Sequence, residues 1–280
     1  MHLVEDVLLA LKRSLRTLVD NIITGVETYA VSAKRCGILP IVANLPAWIR
    51  RSEQLLAGAH NEHCHDILGR GSFDTLDGWG PEEGIYSKLI HAVDAKLETI
   101  AYSNENYTFI ILMENYGRIA KALGPYSAAP ELSQTSEMAA QCSAANLASY
   151  VDKLIERHFG ELVHFFTSIS QSNIESTEIQ YQSNFSKPVF LEVLRSFGPS
   201  SNVPKLVSEM RRKMVRQLSS GVGPAADAEP CEYELPVLWI KLAETLSERW
   251  GKWDLMCEQC YGDIHLPITA TELRAILDAK

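Results

Sequence analysis

Seven apolar residues near the start of the chain, Val4, Leu8, Leu11, Leu15, Leu18, Ile22 and Tyr29, fall three or four positions apart, with one beat missed at Gly25. That spacing returns each side chain to one side of an α-helix and leaves a single long apolar seam. The seam lasts for about four heptads, too short a run for an extended coiled coil, and suits a helix packed in a bundle. Such a helix buries its seam only against other elements, so the rest of the chain must supply them.

The partners follow in order. In "KRCGILP" (34–40), Gly37 can end a helix and Pro40 cannot continue one. A second helix is expected from Pro46 through Trp48, Ile49, Leu55 and Leu56. Residues 58–84, rich in Gly, Asp and His, read as a long surface loop. Leu89, Ile90, Val93, Leu97 and Ile100 define a third helix from Ile85. The fourth, over 106–123, is apolar on several sides in its first half and should be the most buried. Beyond "GPYSAAPELSQTS", helical spacing returns over 138–169, 179–197, 203–218 and 235–260, with a flexible loop at 219–230. A short helix closes the chain. Thr269 and Glu272 have the spacing of a capping box ahead of the inward-facing Leu273, Ile276 and Leu277. No stretch alternates as a strand would, so the expected fold class is all-α, with tandem antiparallel helical bundles: a first bundle over 1–124, a linker at 125–137 and a C-terminal bundle over 138–280.

Composition narrows the partners. With 26 basic and 35 acidic residues the chain carries a net charge of −9, which argues against a surface devoted to nucleic acid or membrane; no nucleic-acid partner is expected. No apolar run reaches the ~20 residues a spanning helix needs. The opening "MHLVED" lacks the basic and apolar regions of a secretory signal. Six scattered cysteines suit a reducing cytoplasmic compartment better than a disulfide framework.

Chemistry-bearing clusters are few. "CEQCYGDIH" places Cys257, Cys260 and His265 at the first three beats of a zinc knuckle, but the fourth falls on Ala270 and no later Cys or His exists. Cys257 also continues the face of Leu246, Trp250 and Trp253, where a thiol packs as a small hydrophobe, and that reading is preferred. A second cluster, His60, His63, Cys64 and His65, has the donor types of a transition-metal site, though His-rich loops are commonly only solvated. Glu161 and His164 give one Glu-x-x-His pair, where a di-metal bundle uses two. There is no nucleophile elbow, phosphate loop or zinc-protease helix. No catalytic residue, cofactor or metal is therefore expected. One basic stretch stands out: Lys205, Arg211, Arg212, Lys213 and Arg216, a candidate contact for an anionic lipid or an acidic partner.

Four segments kept in order, "KRCGILP", "LMENYGRI" (112–119), "LVHFF" (162–166) and "IQYQSNFSK" (179–187), together with the closing aromatic-rich helix, resemble the C-terminal region of the exocyst component 1 (Sec-three-type) family. In that family's pattern a residue matching Cys260 precedes the turn, whereas Cys257 and His265 are not part of it. The resemblance covers nearly the whole chain and implies helical bundles stacked into a rod. It also implies a non-catalytic role: tethering secretory vesicles, from the cytoplasm, at the plasma membrane, with other exocyst subunits as partners. In full-length members an N-terminal domain that contacts phosphoinositides and small GTPases, and a coiled coil, precede this region. Neither is in this sequence, which the resemblance reads either as a C-terminal fragment of a longer protein or as the product of a truncated gene. Two other readings remain open on the residues: a subunit of another helical-rod tether, Golgi or endosomal, and a helical metal-binding module.

Overall fold

A computed structural model describes residues 2–30, 37–51, 85–126, 130–198, 202–219 and 235–279. The expected loop at 58–84 and nearly all of that at 219–230 lie outside these. Every regular element among the described residues is helical, and they fall into two compact units that meet in sequence between Asn146 and Leu147.

The first unit holds α1 (His2–Glu27), α2 (Pro40–Ala43), a helical stretch at 45–51, α3 (Ile85–Tyr102), α4 (Thr108–Leu123) and the opening of α5 (Pro130–Gln171). α1 packs on α3, and α3 on α4. The face α1 buries is not quite the expected one. Val19 and Val26 are buried and Ile22 half-buried, while Leu18 is 55% exposed. Val19, Ile22 and Val26 stand at i, i+3 and i+7, a stripe that takes in Ile22 of the seam but turns Leu18 outward. Pro40, expected only to stop a helix, opens α2. At the first helical position its missing N–H costs nothing and its fixed φ is already helical. In α4 seven successive residues, Ile110 to Tyr116, are buried, as its all-round apolar sequence implies.

Asn115 on α4 carries a specific join. It accepts the Leu39 amide at 2.7 Å and donates to the Gly37 and Ile111 carbonyls at 3.1 and 2.7 Å. Gly37 has a φ of 111°, a conformation glycine adopts readily. "KRCGILP" and "LMENYGRI", distant in sequence, therefore meet through one buried amide.

The second unit holds the rest of α5, α6 (Ser176–Ile179), a 3-10 turn (Ser183–Phe185), α7 (Lys187–Phe197), α8 (Asn202–Ser219), α9 (Leu235–Tyr261) and α10 (Ala270–Asp278). The single helix expected over 179–197 is broken. α7 starts afresh at Lys187, with Pro188 in its first turn, where proline removes no helical hydrogen bond. α5 leaves helical geometry at Phe159 (φ −124°, ψ 21°), next to Gly160, a poor helix former. The core is aromatic. Phe159 meets Trp250 edge-on at 5.9 Å, Phe166 stacks on Trp253 at 5.7 Å, and Phe190 stacks on Tyr261 at 4.5 Å. Two indole N–H groups fix the chain end: Trp250 donates to the Ile268 carbonyl and Trp239 to that of Leu277. The expected capping box is present, with the Glu272 amide on Thr269 Oγ1 at 3.2 Å and the Thr269 amide on Glu272 Oε2 at 2.8 Å.

Candidate interaction surface

α8 buries Val203, Val207, Met210 and Met214, and this row decides where its cations go. Leu206 and Leu218, expected in the same row, are only half-buried. Lys205, Arg212 and Arg216 are exposed; Arg211 and Lys213 are half-buried. Arg211 lies over the Trp239 ring, its guanidinium carbon 5.4 Å from the centroid. That cation–π contact ties α8 to the indole whose N–H holds the end of α10. Lys205 is eight residues before Lys213, roughly 12 Å away along the helix axis. The five cations of the stretch are thus not one patch.

What joins them is another helix. Lys213 has its pKa lowered, first by burial and then by the charges of Arg157 and Lys153 on α5. The Tyr150 hydroxyl donates to Gln217 Oε1 at 3.0 Å. α5 and α8 are therefore joined by a hydrogen bond near the end of α8. Lys153 and Arg157, four apart and both exposed, form a second basic row that the sequence reading missed. Their i, i+4 spacing was visible, but the pairing with α8 is a tertiary fact.

The sulfur and imidazole groups do not assemble. Cys257 and Cys260 are buried among the aromatic residues of α9, and His265 is exposed beyond the helix end. Burial pushes the Cys257 thiol up to about 12 and the Cys260 thiol upward as well, so both are protonated at neutral pH. Among the described residues no three His, Cys, Asp or Glu side chains could together hold a metal. His60, His63, Cys64 and His65 lie outside those residues. His164 is 3.6 Å from Glu156 in an exposed pair. It lines a shallow groove of about 500 Å³ with Glu161, Phe165, Asn184 and Phe185.

The first unit has a cavity of about 330 Å³, walled by Ile90, Val93, Ile119 and Met138 and by the carboxylates Asp94 and Glu98. The Tyr116 hydroxyl donates to Asp94. Burial and that bond push its pKa upward, so it stays a neutral phenol. Burial and the two carboxylates likewise raise the Cys142 thiol, so the cavity presents no activated nucleophile. No described helix is long and apolar enough to cross a membrane.

The fold defines an all-α, helical-bundle protein. The family described as Exocyst complex component Sec3, C-terminal, matches residues 1–263, and the chain belongs to it. It is 23% identical over 262 residues to Exocyst complex component SEC3A of Arabidopsis thaliana, covering 92% of this chain and 26% of that protein. It is 20% identical over 276 residues to Exocyst complex component 1 of Dictyostelium discoideum, covering 96% of this chain and 29% of that protein. The chain thus spans little more than a quarter of the length of these relatives. No solved structure matches it.

Proposed function

We propose that this chain is a non-catalytic part of an exocyst subunit, tethering secretory vesicles at the plasma membrane through contacts between helical bundles. The observation that carries this reading is the family match across residues 1–263. The physical character of the fold suits it: long helices give rigid length, and their solvent faces offer surfaces to other helices. On this reading the two bundles are separate domains, the other exocyst subunits are its partners, and its place is peripheral, on the cytoplasmic side of the membrane.

Deleting the gene that encodes the chain tests the reading. Secretory vesicles should accumulate beneath the plasma membrane and secretion should fall, with Golgi structure unchanged. Fragmented Golgi with normal vesicle fusion at the cell surface would reassign the chain to another tether.

A further inference from the structure

We propose that a trough in the first unit, floored by α4 and walled by α3 and α5, docks a basic amphipathic helix of a protein partner. Both walls are fixed to the floor. The Tyr116 hydroxyl of α4 donates to Asp94 of α3. Ser136 and Ser143 of α5 donate to the Ala120 and Met113 carbonyls of α4, at 2.9 and 2.7 Å. The cavity of about 330 Å³ lies among these three helices. Its base is apolar, with Leu45, Val93, Ile119 and Ala139 all buried. Its rim meets water: Met138 is 57% exposed, and His91, Glu98 and Gln134 are exposed as well.

Length and charge define the occupant. Along α3 the lining residues Ser87, His91, Asp94 and Glu98 follow three or four apart, so they form one row. From 87 to 98 that row runs roughly 16 Å along the helix axis. A trough of this length with an exposed rim suits a helix lying along it and sending side chains down. A small molecule is instead held by a site that buries most of its surface. The charge is one-sided. Asp94 and Glu98 stand one turn apart, and no lysine or arginine is among the described residues of the lining. Lys96, between them in sequence, is engaged elsewhere, its ammonium on the Glu27 carbonyl at 2.6 Å. Tyr116 occupies one oxygen of Asp94, and Glu98 makes no hydrogen bond or ion pair among the described residues. In a chain of net charge −9, these carboxylates repel an anionic membrane or a nucleic acid and attract Lys or Arg. Ile90, Asp94 and Glu98 repeat every four residues, so the matching helix carries an apolar residue followed by basic residues at the same interval. Met138 at the rim gives the apolar anchor an adaptable contact. The inference rests on the tethering reading and deepens it by naming a surface and a partner chemistry.

The test uses the purified chain and three fluorescent peptides. The first is helix-forming, with Leu and Lys one turn apart on one face and Ala and Gln elsewhere. The second has Glu in place of Lys, and the third is a scrambled peptide of the first one's composition. The Lys peptide should bind, more weakly as salt rises, and the other two should bind at least about tenfold less tightly. Glu98→Lys should weaken binding of the Lys peptide about tenfold or more, because it sets like charges face to face. Glu98→Gln should give a smaller loss, and since Glu98 is exposed neither change threatens folding. Met138→Ser should weaken binding about threefold or more by removing apolar contact. Glu244→Lys, the same charge change on an exposed site of α9, should alter it less than about twofold. Equal loss in Glu98→Lys and Glu244→Lys, or equal binding of the Lys and scrambled peptides, overturns the trough. Hexylammonium binding that Glu98→Lys abolishes, with no peptide bound, overturns the helix and assigns the cavity to a small organic cation. If the trough fails while exocyst subunits still co-purify with the chain, the tethering reading stands.

Discussion

Asn115 shows how much one side chain can decide. Its buried amide satisfies the Leu39 amide and the Gly37 carbonyl at once. Replacing it by Leu keeps the volume but strands both groups, at about 1–3 kcal/mol each. Asn115→Leu should therefore lower the chain's unfolding free energy in urea by about 2–5 kcal/mol; a change below about 0.5 kcal/mol would show that the join carries no stability. The sequence revealed "KRCGILP" and "LMENYGRI" as separate landmarks, but not that they touch, because a side chain bonding backbone 76 residues away leaves no local periodicity. "LVHFF" and "IQYQSNFSK" behave alike: Phe165 and Phe185 lie 6.0 Å apart, and the Tyr261 hydroxyl donates to the Phe185 carbonyl. Cys257 was the easier case, since its spacing from Leu246, Trp250 and Trp253 already placed it on the buried face. Cys257→Ser should destabilise by about 1–3 kcal/mol by burying a hydroxyl among aromatic rings. A zinc chelator should leave the melting temperature unchanged.

At the scale of the element, α9 and α10 make the clearest predictions. α9 ends at Gly262, whose φ of 64° is left-handed and whose amide reaches the Cys257 carbonyl at 3.1 Å. A Cβ there would meet nothing within 4 Å, so Gly262→Ala carries only backbone strain, about 1–2 kcal/mol, read from denaturant unfolding. Thr269→Ala removes the cap of α10 and should cost about 1 kcal/mol. Glu272 and Asp263 have lowered pKa values, the first through the Thr269 amide and the second through Lys187. A depressed folded pKa gives stability that is fully present above the unfolded value, about 4, and is lost as pH falls through the folded one. The contribution of these carboxylates to the melting temperature should hold constant from pH 7 to about 5 and fall away below about 4. Helix existence was legible throughout, because 3.6-residue periodicity is a strong signal. Orientation was less so: Leu18 fits the seam of α1 yet faces water, and the break at Phe159, beside Gly160, leaves no gap in the apolar spacing.

For the whole molecule, its partners are what separate a tether from an ordinary globular protein. The candidate surface was half legible. The cations of α8 stand together in the sequence, but spacing does not show that Arg211 lies over Trp239 on α9. The central claim, membership of the exocyst, is tested most directly by purifying the tagged chain from its own cells and identifying what comes with it by mass spectrometry. The account predicts the other exocyst subunits. Recovery of a Golgi tether's subunits instead would contradict it.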